Sequence, residues 1–115
     1  MIDFACKRFN IDEIVKCGLG LSKSDYKLLM HMLKNERHPQ TTEHFAKRLS
    51  VNLTTIQRSV KKLHEKGVLK RTQQNLDGGG YVFLYQIKDR KQVAQIILTI
   101  VHGWTKRVES ELETW

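Results

Sequence analysis

Between Phe45 and Ile87 the spacing of apolar residues changes once, and that change limits what the 115-residue chain can fold into more than any other feature. Up to Leu63, apolar residues recur every three or four positions, the period of a helix with one buried face. Thr41 or Thr42 can cap a short helix through Leu49, with Phe45, Ala46 and Leu49 inward. Ser50-Val51-Asn52 interrupts it, and Asn52 can cap a second helix in which Leu53, Ile56, Val60 and Leu63 face inward up to Gly67. Beyond that glycine the period becomes that of strands. Val68 to Gln74 and Tyr81 to Ile87 are rich in β-branched and aromatic residues and flank Asn75-Leu76-Asp77-Gly78-Gly79-Gly80, whose glycines permit the positive φ values of a hairpin tip.

Helices are expected on both sides of this unit. Ser22 followed three residues later by Asp25 predicts a capping box, and Tyr26, Leu29, Met30 and Leu33 then recur at helical spacing to about Asn35. A shorter helix precedes it: Asn10 can cap Ile11 to Lys16, Ile11, Ile14 and Val15 share a face, and Gly18 is expected to end the run with Phe4 and Phe9 packed beneath. At the other end Asp89 can cap a helix of about 25 residues, roughly 37 Å at ~1.5 Å per residue, that reaches the C-terminus. Its apolar stripe includes Val93, Ile97, Ile100, Trp104, Val108 and Leu112. A helix so long cannot bury that stripe against a small domain alone, so these six residues are expected to form the interface of a homodimer. Gly103 within the stripe predicts a close helix approach or a bend.

Charge is concentrated where the two short helices are. The net charge is +8, and Thr41 to Arg71 holds eight basic and two acidic residues, which is +6 of it. A concentrated basic segment is the electrostatic footprint of phosphate binding.

Helix, helix, tight turn, helix and glycine-tipped hairpin is the element order of a winged helix-turn-helix domain. Phe45 to Arg71, with Leu49-Ser50 in the turn and Gly67-Val68-Leu69-Lys70-Arg71 leading into the wing, resembles the MarR-type and TrmB-type winged-helix transcriptional regulators. Gly20-Leu21-Ser22 with Tyr26 and Leu29 likewise looks like the opening of the TrmB-type DNA-binding domain, and the small size looks closer to an archaeal-style regulator than to a full MarR repressor. The resemblance implies an α+β, mostly α fold: residues 1–88 form the winged helix-turn-helix domain with a two-stranded wing, and residues 89–115 a long C-terminal dimerisation helix. It implies a sequence-specific regulator of transcription that binds double-stranded DNA as a homodimer, with the helix over about 53–66 in the major groove.

On that helix Thr54, Thr55, Gln57, Arg58 and Lys61 face outward and are the residue types that read base edges: arginine suits guanine, glutamine adenine, threonine the thymine methyl. Thr41, Thr42, Lys47, Arg48, Lys62, Lys70 and Arg71 would position phosphates. The wing departs from the MarR pattern, because Asp77 is followed by three glycines where an arginine approaches the minor groove. An unknown small-molecule effector would bind between the long helix and the DNA-binding core, near Trp104, Tyr26 or the N-terminal phenylalanines. The alternative is a winged-helix protein–protein interaction module of a transcription or RNA-processing assembly.

No catalytic constellation stands out, so an enzyme is not expected. His31, His38, His44, His64 and His102 are scattered, Cys6 and Cys17 lack metal or redox spacing, and the glycine run lacks a following lysine and helix; no metal or other cofactor is expected. No apolar run approaches the ~20 residues of a membrane span. The opening residues lack the pattern of a secretory signal, which predicts a cytoplasmic protein.

Overall fold

In a computed structural model, which describes residues 2–3 and 5–115, four helices and a hairpin surround one core and a fifth helix projects from it. A minimal hairpin opens the chain, β1 (Ile2–Asp3) pairing antiparallel with β2 (Arg8–Phe9). Phe4, expected beneath the first helix, lies outside the described residues; Phe9 is half-buried. Helix α1 (Ile11–Leu19) is capped by the Asn10 side chain, which accepts from the Glu13 amide at 3.1 Å. It runs through Gly18 and ends at Gly20, whose φ of 65° lets the chain turn out of the helix. Sequence spacing stops this helix too early because Gly18 is tolerated inside it, facing Ile100 and Trp104. Ile11, expected inward, is 59% exposed because it sits in the first turn beyond the core's edge.

Helix α2 (Lys23–Lys34) begins with the expected capping box between Ser22 and Asp25. Thr41 caps α3 (Thr42–Leu49) and Asn52 caps α4 (Leu53–Glu65). Ser50 joins them at φ 53°, a left-handed conformation that makes the turn tight. Leu53 stays exposed, whereas Ile56, Val60 and Leu63 are buried with Phe45, Leu28, Leu29 and Met32 in the core between α2, α3 and α4.

The wing is β3 (Leu69–Asn75) paired antiparallel with β4 (Tyr81–Ile87), in register from Leu69 opposite Ile87 to Asn75 opposite Tyr81. Gly79 and Gly80 at φ 91° and 80° form its tip. Gln40 adds one residue of pairing beside β4: its amide donates to the Tyr85 carbonyl at 3.0 Å and its carbonyl accepts from the Tyr85 amide at 2.8 Å. This bridge ties the α2–α3 connection to the base of the wing.

Helix α5 (Arg90–Glu113) is capped by Asp89, which forms a capping box with Gln92. Its first half packs on the core through Val93, Ile96, Ile97 and Ile100, and its second half extends away, giving the chain dimensions of 63 × 25 × 24 Å. Helix α5 runs unbroken through Gly103, and no atom of the described chain lies within 4 Å of a Cβ built there, so this glycine marks no close approach within the chain. No helix among the described residues is long and apolar enough to cross a membrane.

Candidate nucleic-acid interface

The outward face of α4 is set by what its inward face buries. Because Ile56, Val60 and Leu63 are fixed in the core, Thr54, Gln57, Arg58 and Lys61 are exposed on the opposite side. Two clefts flank them. The larger, about 500 Å³, lies between the start of α3, α4 and the wing, and brings Thr41, Thr42, Gln57, Lys61 and Arg71 together. The smaller lies where α4 crosses the start of α2 and holds Thr55, Arg58 and Lys62 beside Ser22 and Ser24. Thus eight of the twelve residues expected to touch DNA line two adjoining depressions along one helix.

The larger cleft has an aromatic wall. The Arg71 guanidinium carbon stands 4.4 Å from the centre of the Phe83 ring, a cation–π contact that holds the side chain over the wing. Phe83 also meets Tyr81 edge-on, and Tyr85 meets His64 of α4 edge-on at 6.2 Å, so the wing and α4 are packed directly together. On the opposite wall the Thr41 hydroxyl accepts from the His44 amide at 3.1 Å as the α3 cap. Lys70 precedes Arg71 on a strand and therefore projects to the other face of the wing, away from this cleft.

Lys62 is not free. Its ammonium donates to Asp25 Oδ2 at 2.8 Å and lies 3.3 Å from the Gly20 carbonyl oxygen. The buried Asp25 carboxylate also accepts from the Ser59 hydroxyl at 2.5 Å and the Ser22 amide at 2.9 Å. Burial alone would raise its pKa, but these donors outweigh it and pull it from 3.8 down to about 2. Lys62 thereby fastens α4 to the start of α2.

A second polar cluster fixes α3. Glu36, in the connection after α2, receives His31 Nε2 at 2.6 Å on one oxygen and His44 Nε2 at 2.5 Å on the other, with Arg48 Nε 3.6 Å away. Burial pushes the Glu36 carboxyl up, yet the two histidines hold it below its usual range. Arg48 thus faces Glu36 while staying largely exposed, Lys47 stands exposed beside it, and neither lines the clefts.

Ser59 and Glu36 were not singled out from the sequence, and Asp25 was singled out only as half of a capping box. Ser59 alone carried a signal: a hydroxyl between the inward positions of α4 needs a buried partner, but nothing in the spacing identifies Asp25, 34 residues away. Among the described residues no three His, Cys, Asp or Glu side chains are grouped so as to hold a metal ion.

The residues expected at the dimer interface divide. Val93 is in the chain's own core, Ile97 and Ile100 pack against it, and Trp104 lies over Gly18, whereas Val108 and Leu112 are exposed. The aromatics expected near an effector also separate. Trp104 borders a groove of about 780 Å³ between α1, the end of α4 and α5, and Tyr26 lies elsewhere, its hydroxyl donating to Asp12.

The chain as a whole resembles several known proteins. Residues 9–108 match the DnaD N-terminal domain family. A solved structure from Methanosarcina mazei Go1, described as a possible transcriptional regulator, is 46% identical and superposes with a TM-score of 0.92, covering 100% of this chain and 96% of that one. A solved structure from the archaeon Sulfolobus tokodaii shares the fold at 21% identity and a TM-score of 0.66, over 84% of this chain and 92% of its own. A protein of Methanocaldococcus jannaschii is 29% identical over 108 residues, 94% of this chain and 80% of its length.

Proposed function

The chain belongs to the DnaD N-terminal domain family, and from that premise and the surface of α4 we propose that it is a winged-helix regulator of transcription that binds double-stranded DNA. The observation that carries this reading is the gathering of Gln57, Lys61, Thr41, Thr42 and Arg71 in one cleft beside the exposed Arg58. That arrangement offers what a duplex requires: base-reading side chains on a helix that can enter the major groove, with phosphate donors to either side. The description of the Methanosarcina mazei relative as a possible transcriptional regulator supports the same reading.

In this proposal Thr54, Thr55, Gln57, Arg58 and Lys61 face bases. Thr41, Thr42, Lys47 and Arg71 meet phosphates, while Lys62 and Arg48 act mainly by holding the helices through Asp25 and Glu36. The wing contributes Arg71 near its base rather than a residue at its glycine tip. The protein acts as a homodimer through the part of α5 that its own domain leaves uncovered, in the manner of the small MarR-type and TrmB-type regulators.

The test is fluorescence anisotropy with duplexes from the protein's own upstream region and a shuffled control, across a salt series. Arg58→Ala and Gln57→Ala should each cost ~1–3 kcal/mol on the preferred duplex and relax the preference. Weak, equal binding to both duplexes that neither substitution alters would overturn the proposal and leave the protein-interaction module.

A further inference from the structure

Helix α5 carries two apolar seams rather than one. Val93, Ile96, Ile97 and Ile100 turn toward the chain's own core, with Trp104 against Gly18. A second set, Ala94, Leu98, Val101, Thr105, Val108 and Leu112, recurs in alternating steps of four and three, and one further step of three reaches Trp115. That is the seven-residue repeat of a coiled-coil seam. Leu98, Val108, Leu112 and Trp115 are 48%, 57%, 56% and 99% exposed, so the seam has no occupant within the chain.

Near the N-terminal end of α5 the seam runs into an apolar groove. It is about 370 Å³, lined by Ile11, Met30, Leu33, Val93, Ala94 and Ile97, with Lys34 and Arg90 among the surrounding side chains. Ala94 belongs to both seam and groove, which makes them one continuous surface. The two ends of the helix differ in charge: Arg90 and Lys91 begin it, and beyond Lys106 and Arg107 its end carries Glu109, Glu111 and Glu113 and no cation. Among the described residues none of these seven, nor Lys34, is in an ion pair.

We propose that a second copy of this chain packs along the seam in antiparallel orientation, so that the C-terminal segment of each chain, from Val108 to Trp115, closes the groove of the other. This rests on the homodimer in the functional reading above and specifies its direction and register. Charge decides the direction. A parallel pair would set the three glutamates of one chain beside those of the other and the two basic starts together, whereas the antiparallel pair sets Glu109, Glu111 and Glu113 of each chain toward Lys34, Arg90 and Lys91 of the other and leaves Lys106 and Arg107 beside the partner's uncharged Ile100 and Thr99. Coverage of the seam decides the register. With Val101 opposite the partner's Thr105, Leu98 meets the partner's Val108 and Ala94 meets the partner's Leu112, so every seam residue from Ala94 to Leu112 gains a counterpart. The partner's Leu112 then lies over the groove and covers the otherwise exposed Ile11.

Cross-linking tests this in the full-length chain with Cys6 and Cys17 replaced by serine. A chain bearing Leu98→Cys is mixed with one bearing Val108→Cys under mild oxidation, and a disulfide-linked pair of unlike chains is expected. Either variant alone should stay unlinked, because like residues lie ten positions apart along the axis, about 15 Å at ~1.5 Å per residue, beyond the ~7 Å reach of a disulfide. Nitroxides on Trp115→Cys should be about 30 Å apart or more in the antiparallel pair, since Glu113, the last residue of α5, already lies 20 positions from its counterpart at ~1.5 Å each. Leu112→Asp should yield a folded monomer by light scattering and circular dichroism. Self-linking of Leu98→Cys, or nitroxides at the short separation of adjacent chain ends, would overturn the antiparallel register while leaving the homodimer standing. A parent chain that light scattering finds monomeric at every concentration would overturn both.

Discussion

Replacing Asp25 by asparagine keeps the shape of the side chain and removes the charge that Lys62, Ser59 and Ser22 converge on. In the folded chain this carboxyl titrates at about 2 instead of 3.8. At ~1.4 kcal/mol per pKa unit, that difference corresponds to roughly 2 kcal/mol of stability at neutral pH. Its sign follows from the direction of the shift: a depressed folded-state pKa means the native state favours the ionised form. The contribution is therefore complete above the unfolded pKa, falls as pH drops through 3.8 toward 2, and is gone below both values. Urea unfolding of the parent and Asp25→Asn at one protein concentration, at pH 7 and at pH 3, measures it. The variant should be about 2 kcal/mol less stable at pH 7, with an unchanged m-value, and the gap should narrow by about 1 kcal/mol at pH 3. A gap of equal size at both pH values would refute the electrostatic account and leave only a packing or hydrogen-bond defect. A gap under ~0.5 kcal/mol at pH 7 would mean that burying the carboxylate cancels what its donors return.

Two further substitutions separate stability from binding. Glu36→Gln should destabilise the chain more at neutral pH than in acid, because the histidines hold this carboxyl below its usual range and its contribution fades as pH falls through that range; thermal melts at pH 7 and pH 3.5 check it, and equal shifts at both would discard the reasoning. Phe83→Leu removes the ring under Arg71 and should weaken DNA affinity by ~0.5–1 kcal/mol for preferred and shuffled duplexes alike; a loss confined to the preferred duplex would show instead that Arg71 reads bases.

How much was legible in the sequence follows from which interactions are local. Every helix start was, because Asn10, Ser22, Thr41, Asn52 and Asp89 each bond an amide two or three residues on, within the window that spacing can see. The wing was legible from a change of period and a run of glycines. Lys62 was the hard case: on a helical wheel it is one more outward cation, and only the packing of α2 on α4 brings Asp25 to it. The stripe of α5 failed differently. Its two seams are about a quarter-turn apart, so in one dimension they merge into a single broad band, and Val93 cannot be told from Val108 until the core has claimed one of them.

The same commitment of side chains sets how strongly salt should act on DNA binding. Of the eight cations between Thr41 and Arg71, Lys62 and Arg48 already face carboxylates, and Lys70 projects to the opposite side of the wing from Arg71. Lys66 sits at the end of α4, beside the separate groove under α5. Lys47, Arg58, Lys61 and Arg71 remain to meet a duplex. At a slope of ~0.9 per neutralised phosphate, the logarithm of affinity should fall by about 3–4 per protomer for each decade of salt, rather than the ~7 that the count of eight would give. Lys61→Ala should reduce that slope by about one, and Lys62→Ala should leave it nearly unchanged while lowering stability. A slope near the full cation count, or an equal loss of slope from Lys61 and Lys62, would mean that the bond to Asp25 opens when DNA binds and that α4 is not held in place by it.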